Sequence, residues 1–328
     1  MQESHNSERR DAGIIILEDL PANLDPSRPF RLLPKGVDEA YYWERVDRNL
    51  GWITRHEQQM LRDSVIGIAG CGGMGGQLAE KFLRLGVGEI RIADCEAFDT
   101  SNINRQFAAT RNTVGKSKAV ETARMLRGVT DDTVIEVWPQ GVCEDTVDRF
   151  IAGCDVICDE IEFWAVGSRI LLHQEARKRG ISVFNCNTIG FGTRLFFFTP
   201  QSATMEECLN MTYEHAVELQ EKVAEGKAIK VEVDEVLQSV MNGLLPEFPD
   251  YAGNEYAAFT GRLYREHKAP IIATNPSMAT GFMADRILLY ILRNSGIDRK
   301  VVEVPEMPGY LYFDAAKMEA KIVQERWW

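Results

Sequence analysis

Val65-Ile66-Gly67-Ile68-Ala69-Gly70-Cys71-Gly72-Gly73-Met74-Gly75-Gly76 is the stretch that decides how this chain is read. Val65, Ile66, Ile68 and Ala69 form a short apolar run of the kind a buried parallel strand carries. A glycine-rich turn follows at Gly70, Gly72, Gly73, Gly75 and Gly76. The segment from Gln77 to Leu85 then places apolar residues at helical spacing and stops at Gly86. Strand, glycine turn and helix together make a G-x-G-x-x-G match a nucleotide-site hypothesis. Glycines let the backbone approach phosphate oxygens, and first-turn N–H groups offer donors at the helix's positive end. A second strand, Glu89 to Asp94, ends in an acid where a ribose-binding carboxylate usually sits. A glycine turn can also serve close helix–sheet packing alone, so this stretch by itself says only Rossmann-like.

Working outward, 328 residues suffice for one large α/β domain or two smaller ones. Hydrophobic content of 45% and charged content of 26% are those of an ordinary globular chain. A net charge of −12 disfavours nucleic acid as a general partner. No apolar run approaches the roughly 20 residues of a membrane helix, and the polar N-terminus lacks a signal-peptide core. Seven cysteines (71, 95, 143, 154, 158, 186 and 208) form no C-x-x-C pair, which fits reduced thiols in a cytoplasmic protein and no structural zinc.

Residues 1–42 read as an extension whose Ile14–Leu17 patch docks by one short strand. Residues 43–204 read as a nucleotide-binding domain, with a helical lead-in before Val65. Strands are expected at Val134–Trp138, Asp155–Cys158, Ser182–Asn185 and Thr193–Phe198, and helices at Glu144–Ile151 and Ser168–Arg179, with another opened by Thr113–Lys118 and running to about Arg127. That alternation predicts a Rossmann-like, doubly wound, mainly parallel sheet. Residues 205–268 read as an acidic helical insertion with Met205–Glu225 as the longest helix. Residues 269–328 supply an apolar helix over Pro276–Arg293, then strand over Val301–Phe313 in an added antiparallel part.

What narrows the chemistry follows Asp94. Asn102, Arg105 and Gln106 crowd the strand's C-terminal end, toward the crevice where such sheets bind nucleotides. Arg105 is a bidentate phosphate donor and Lys118 a point charge, the combination that phosphoryl or adenylyl chemistry uses to spread charge. Asp159 and Glu162 end the next strand with carboxylates that suit Mg²⁺.

The turn Gly70, Gly72, Gly73, Gly75, the terminal Asp94, the block Ser101-Asn102-Ile103-Asn104-Arg105-Gln106 and the block Thr113–Lys118 together resemble the ThiF/MoeB/E1-like (ubiquitin-activating) adenylyltransferase superfamily, over roughly residues 43–200. Upstream, Arg45 and Arg48 match two arginines of that family, one of which crosses to a partner subunit's nucleotide. The resemblance implies ATP- and Mg²⁺-dependent adenylylation of a carboxylate, often the C-terminal glycine of a ubiquitin-like protein or a peptide, by a homodimer. Carried over by position, Asp94 would bind the ribose; Asn102, Arg105, Gln106 and Lys118 the triphosphate; Arg45 would reach across the dimer. Three departures stand out. Glu162 replaces the family's metal-binding Asp, the zinc pairs of many members are missing, and neither Cys208 nor Cys186 has a convincing thioester context. The glutamates beside Cys208 would raise its thiol pKa. Other readings are a tRNA threonylcarbamoyladenosine dehydratase-like enzyme, a catalytically silent E1-like subunit, and an NAD- or FAD-dependent oxidoreductase. The last has no obvious task for Asn102, Arg105 and Lys118.

Overall fold

Apolar β-branched runs make the strands, and the elements between them alternate as expected. In the computed structural model residues 13–21, 24, 27–36, 38–252, 259, 261–263, 266 and 269–328 are described. The chain divides into two compact units, residues 1–160 with 284–301, and residues 161–283 with 302–328.

The first unit holds β1 (Ile15–Leu17), β2 (Phe30–Leu32), β3 (Val65–Ala69), β4 (Glu89–Ala93), β5 (Val134–Trp138) and β6 (Val156–Asp159). Their order is β1-β2-β5-β4-β3-β6, parallel except where β2 meets β5. The Ile14–Leu17 patch does dock by one short strand. The helices are α1 (Glu39–Arg45), α2 (Arg55–Arg62), α3 (Gly75–Leu85), α4 (Lys118–Arg127) and α5 (Val147–Ile151). Ile66, Ile68, Leu78, Phe82, Ile90, Ile92, Ile135, Val137 and Phe150 are wholly or almost wholly buried, each such side chain contributing about 1.5–3 kcal/mol.

Charge is also buried here. Arg31 donates to both oxygens of Glu89 at 2.9 Å, and Arg91 Nε donates to Glu89 Oε1 at 2.7 Å. Arg91 Nη1 adds the Phe150 and Ala152 carbonyls, each at 2.8 Å. Such pairing is what allows a fully buried guanidinium. Thr54 and Glu57 form a capping box at the start of α2, and Arg299 clamps the buried Glu57 carboxylate through Nη2 to Oε2 at 2.8 Å and a second bond to Oε1. Residues 242 positions apart are thereby tied together.

The second unit holds β7 (Ser182–Ile189), β8 (Gly192–Phe198), β9 (Tyr310–Asp314) and β10 (Glu319–Val323), an antiparallel set in chain order. Its helices are α6 (Val166–Lys178), α7 (Met205–Leu209), α8 (Tyr213–Ala224) and α9 (Lys230–Leu244). The last helix, α10 (Thr274–Leu292), gives the residues up to Met283 to this unit and the rest to the first. Mixed α/β architecture, with a mainly parallel Rossmann-like sheet and an antiparallel C-terminal part, is therefore as the sequence led one to expect.

Two expectations about elements need correction. The single helix over Met205–Glu225 is two helices, because Asn210 takes a left-handed conformation (φ 48°) and Thr212 caps the next segment through His215 N–H at 3.3 Å. Asn tolerates that conformation and Thr is a good N-cap, so the break was written in Asn210-Met211-Thr212. α10, not this segment, is the longest described helix. Downstream, strand does not start at Val301: Pro305 and Pro308 have no N–H to give a ladder, and the strands are β9 and, within the charged tail, β10.

Candidate functional site

The glycine loop leaves β3 at Gly70, which has φ 100° and donates its N–H to the Ala93 carbonyl at 2.7 Å. At Gly75 a Cβ would lie 1.8 Å from the Gly70 carbonyl oxygen, so no side chain fits where the loop turns into α3. Met74, the N-cap of α3, gives no side-chain cap, and the first turn holds no acid. A helix end in that state suits an anion from outside the helix.

Asp94 holds the loop from beneath. Its Oδ2 accepts the Cys71 N–H at 2.7 Å and its Oδ1 the Glu96 N–H at 2.8 Å. Burial is the main influence on this carboxyl and raises it to about 6, against the opposing pull of the Lys118 ammonium and the two amide donors.

The segment after Asp94 folds back over the loop. Asp99 caps a short 3-10 helix, Thr100–Asn104, accepting the Ser101 N–H at 2.6 Å. Asn102 is buried and its Oδ1 accepts the Asp99 N–H at 3.1 Å, so its Nδ2 is what it offers a ligand. Arg105 crosses Gly73, where a Cβ would come within 3.4 Å of its Cγ. Its Nη1 donates to the Ser101 carbonyl at 3.2 Å and Asn104 Oδ1 at 2.9 Å. Gln77 of α3 donates to the Arg105 carbonyl at 3.1 Å, tying the segment to the helix. Gln106 is buried beside Gly72, and its Oε1 has no partner among the described residues. A buried amide oxygen in that condition favours a bound donor.

Lys118 opens α4, with Ser117 as N-cap. Its buried side chain donates to Glu96 Oε2 at 2.6 Å, and its N–H to the Glu96 carbonyl at 2.9 Å. Glu96 was not singled out from the sequence. Its half-exposed carboxylate occupies Lys118 as a phosphate oxygen would, and the only sequence signal was its position two residues beyond Asp94.

The described structure thus brings Gly70, Gly72, Gly73, Gly75, Asp94, Asn102, Arg105, Gln106 and Lys118 around one loop. Asp159 ends β6 next to β3, paired with Ala69 and fully buried. Glu162 is exposed and belongs to the second unit. Among the described residues no group of three or more His, Cys, Asp or Glu is arranged to hold a metal. Mg²⁺ often needs only one or two carboxylates beside phosphate oxygens, so Asp159 still suits it.

Arg45 lies elsewhere. Its Nε donates to Asp132 Oδ2 at 2.8 Å and its Nη1 to the Leu83 carbonyl at 2.8 Å, at the far end of α3 from the loop. Arg48 is exposed. Cys208 is buried, donates to the Gly243 carbonyl at 3.0 Å, and has its pKa pushed up by burial rather than by the neighbouring glutamates. Cys186 is also buried, with Sγ 3.0 Å from Thr193 Oγ1. No helix among the described residues is long and apolar enough to cross a membrane.

A profile described as the ThiF family matches residues 46–326. The sulfur carrier protein ThiS adenylyltransferase of Bacillus subtilis (strain 168) is 28% identical over 154 residues, 46% of this chain and 45% of the relative. The tRNA threonylcarbamoyladenosine dehydratase of the same organism is 28% identical over 142 residues, 43% of this chain and 55% of the relative. The chain therefore spans about half the length of these two relatives, and equal identity does not choose between their activities. The crystal structure of selenomethionine PaaA superposes with a TM-score of 0.58 over 99% of this chain and 81% of that one. At 14% identity that likeness speaks for the fold alone.

Proposed function

The chain belongs to the ThiF family, and from that premise we propose that it uses ATP to adenylylate a carboxylate, the C-terminal glycine of a ubiquitin-like protein or of a peptide. The observation that carries the proposal is the set Asp94, Asn102, Arg105, Gln106 and Lys118 gathered at one uncapped helix start. Asp94 accepts the ribose hydroxyls while fixing the loop through Cys71. First-turn N–H groups, Asn102 Nδ2 and Arg105 take the phosphates, and Lys118 exchanges Glu96 for a phosphate oxygen. The substrate carboxylate attacks the α-phosphorus; its O–P bond forms as the bond to the bridging oxygen breaks and pyrophosphate leaves. Arg105 and Lys118 stabilise charge gathering on the departing oxygens. Mg²⁺, where bound, would be held by Asp159 and supply Lewis-acid charge neutralisation. The enzyme acts as a homodimer in this reading, with an arginine of the Arg45/Arg48 pair serving the partner's nucleotide.

Pyrophosphate release from ATP is the test, measured with peptides ending in glycine as free acid or as amide. The free acid should release pyrophosphate and the amide should not, and Arg105→Ala or Lys118→Ala should lower the rate at least a hundredfold, roughly the scale set by loss of one charge-stabilising donor. Equal release with the amide, or full activity in both variants, would rule the assignment out. The dehydratase-like reading is favoured by no particular residue, and the charge of −12 stands against a tRNA substrate. Salt-dependent tRNA binding would bring it forward.

A further inference from the structure

Within the second unit lies a cleft of about 1310 Å³ that none of the roles above uses. One wall is aromatic: Trp327 packs edge-on against Tyr310 with ring centres 4.8 Å apart and donates to the Asn242 carbonyl at 3.0 Å. Trp328 lies beside it. Among the described residues the rest of the lining carries five side-chain carboxylates against one guanidinium, that of Arg326. Two of the acids already have side-chain partners: Glu235 meets His215 Nε2 at 2.8 Å, and Glu247 meets the Lys321 ammonium at 3.1 Å. Asp234, on the face of α9 that lines the cleft, has no such partner among the described residues. Its Oδ1 is shut off from solvent without a hydrogen-bond partner among the described residues, and so is Trp328 Nε1.

These two groups ask for opposite things of a ligand, a cation for the carboxylate and an acceptor for the indole N–H. A peptide carrying a basic residue supplies both, through its side chain and its main-chain carbonyl. The chain itself illustrates the cation's other contact, since Arg326 sits 5.0 Å above the Trp328 ring. A metal ion has no use for indoles and finds no cluster of three ligating side chains among the described residues. Nucleic acid would be repelled by the carboxylates.

We propose that this cleft binds a basic segment of a peptide or protein, its lysine or arginine going to Asp234 and an indole face, and a main-chain carbonyl to Trp328 Nε1. The proposal deepens the peptide-substrate reading, on which it rests for the source of the segment: the acyl substrate is held here at a point other than its reacting carboxylate. The binding step itself needs no nucleotide, so the two can fail separately.

The test uses the full chain without ATP. A short acetylated and amidated peptide of alternating lysine and leucine is titrated by calorimetry and by tryptophan fluorescence, beside its glutamate–leucine counterpart and spermidine. Expected are saturable binding of the basic peptide alone, a Kd at least tenfold weaker in Asp234→Asn and in Trp328→Leu, and no change in Glu18→Gln, which removes a charge elsewhere. Melting curves confirm that each variant is folded; Trp328→Leu also removes the ring beside Trp327 and under Arg326, so Asp234→Asn is the decisive variant. Absence of saturable binding overturns the proposal, as does an unchanged Kd in Asp234→Asn, equal weakening in Glu18→Gln, or equally tight spermidine. Absence of pyrophosphate release from the wild-type enzyme with glycine-ended peptides, with this binding intact, would sink the adenylylation reading and leave the cleft standing on its own.

Discussion

Lowering the pH through 6 is expected to weaken nucleotide binding by way of Asp94, whose carboxyl burial has raised to about 6. Only the ionised carboxylate can accept hydroxyl donors at both oxygens while keeping the Cys71 and Glu96 amides. About nine-tenths of the population is ionised at pH 7 and about one-tenth at pH 5, so the apparent Kd should rise roughly tenfold between them. Stability should move the other way. The folded carboxyl titrates above its usual 3.8, so the folded chain binds the extra proton and gains stability as pH falls from about 6 toward 4. The full shift corresponds to a ceiling of about 3 kcal/mol. Calorimetric titration with Mg·ATP at several pH values, with melting temperatures of the free protein, measures both. Asp94→Asn keeps one acceptor, so it should bind weakly at every pH and lack the acid limb. ATP's own protonation is common to both proteins and divides out. If wild type and Asp94→Asn weaken in parallel on acidification, Asp94 is not the titrating group and the ribose assignment falls.

Other expectations follow from the same contacts. Arg299 is the main reason the Glu57 carboxyl sits near 2 rather than 4.5, so the stability this pair contributes is present above about pH 4.5 and is lost as pH falls toward 2. Arg299→Ala should cost about 2–3 kcal/mol in denaturant unfolding near neutrality, discounted for the guanidinium's partial exposure, and an unchanged midpoint would contradict the clamp. Gly75→Ala must displace the Gly70 carbonyl and should lower both melting temperature and ATP affinity, whereas Gly72→Ala meets only Gln106 Nε2 at 3.8 Å and should spare the melting temperature while weakening ATP. Parallel effects on stability in the two variants would argue for packing alone. Arg45→Ala breaks bonds to Asp132 and Leu83 and should destabilise by about 1–3 kcal/mol. Arg48→Ala should leave stability alone, and a drop in turnover there would mark Arg48 as the arginine that serves the partner's nucleotide.

Much of the first unit was legible in the sequence because its local signals agree. Val134–Trp138 is strand where the β-branched run places it, and α4 ends at Arg127, where the helical spacing ends it. The glycine loop and the acid at the end of β4 lie together as their positions in the sequence led one to expect, because one strand–turn–helix–strand unit places both. What stayed hidden depends on contacts distant in sequence. Nothing near Glu57 announces that Arg299 completes it, and nothing near Lys118 announces that Glu96 is its partner. The Arg45 contacts are of the same kind, since its bonds to Asp132 and the Leu83 carbonyl join residues far apart in sequence. The break in the expected helix at Asn210 was a local signal overlooked in favour of hydrophobic spacing.

The most direct test of the account is stabilisation of the free protein by nucleotides, followed as melting temperature with Mg·ATP, ATP plus chelator, NAD and FAD, beside Lys118→Ala. A ligand that binds only the folded state adds about 2.7 kcal/mol at a hundred times its Kd. Stabilisation by Mg·ATP, absent with NAD and FAD and lost in Lys118→Ala, is what the account predicts. Stabilisation by NAD or FAD, or an undiminished response to Mg·ATP in Lys118→Ala, would contradict it.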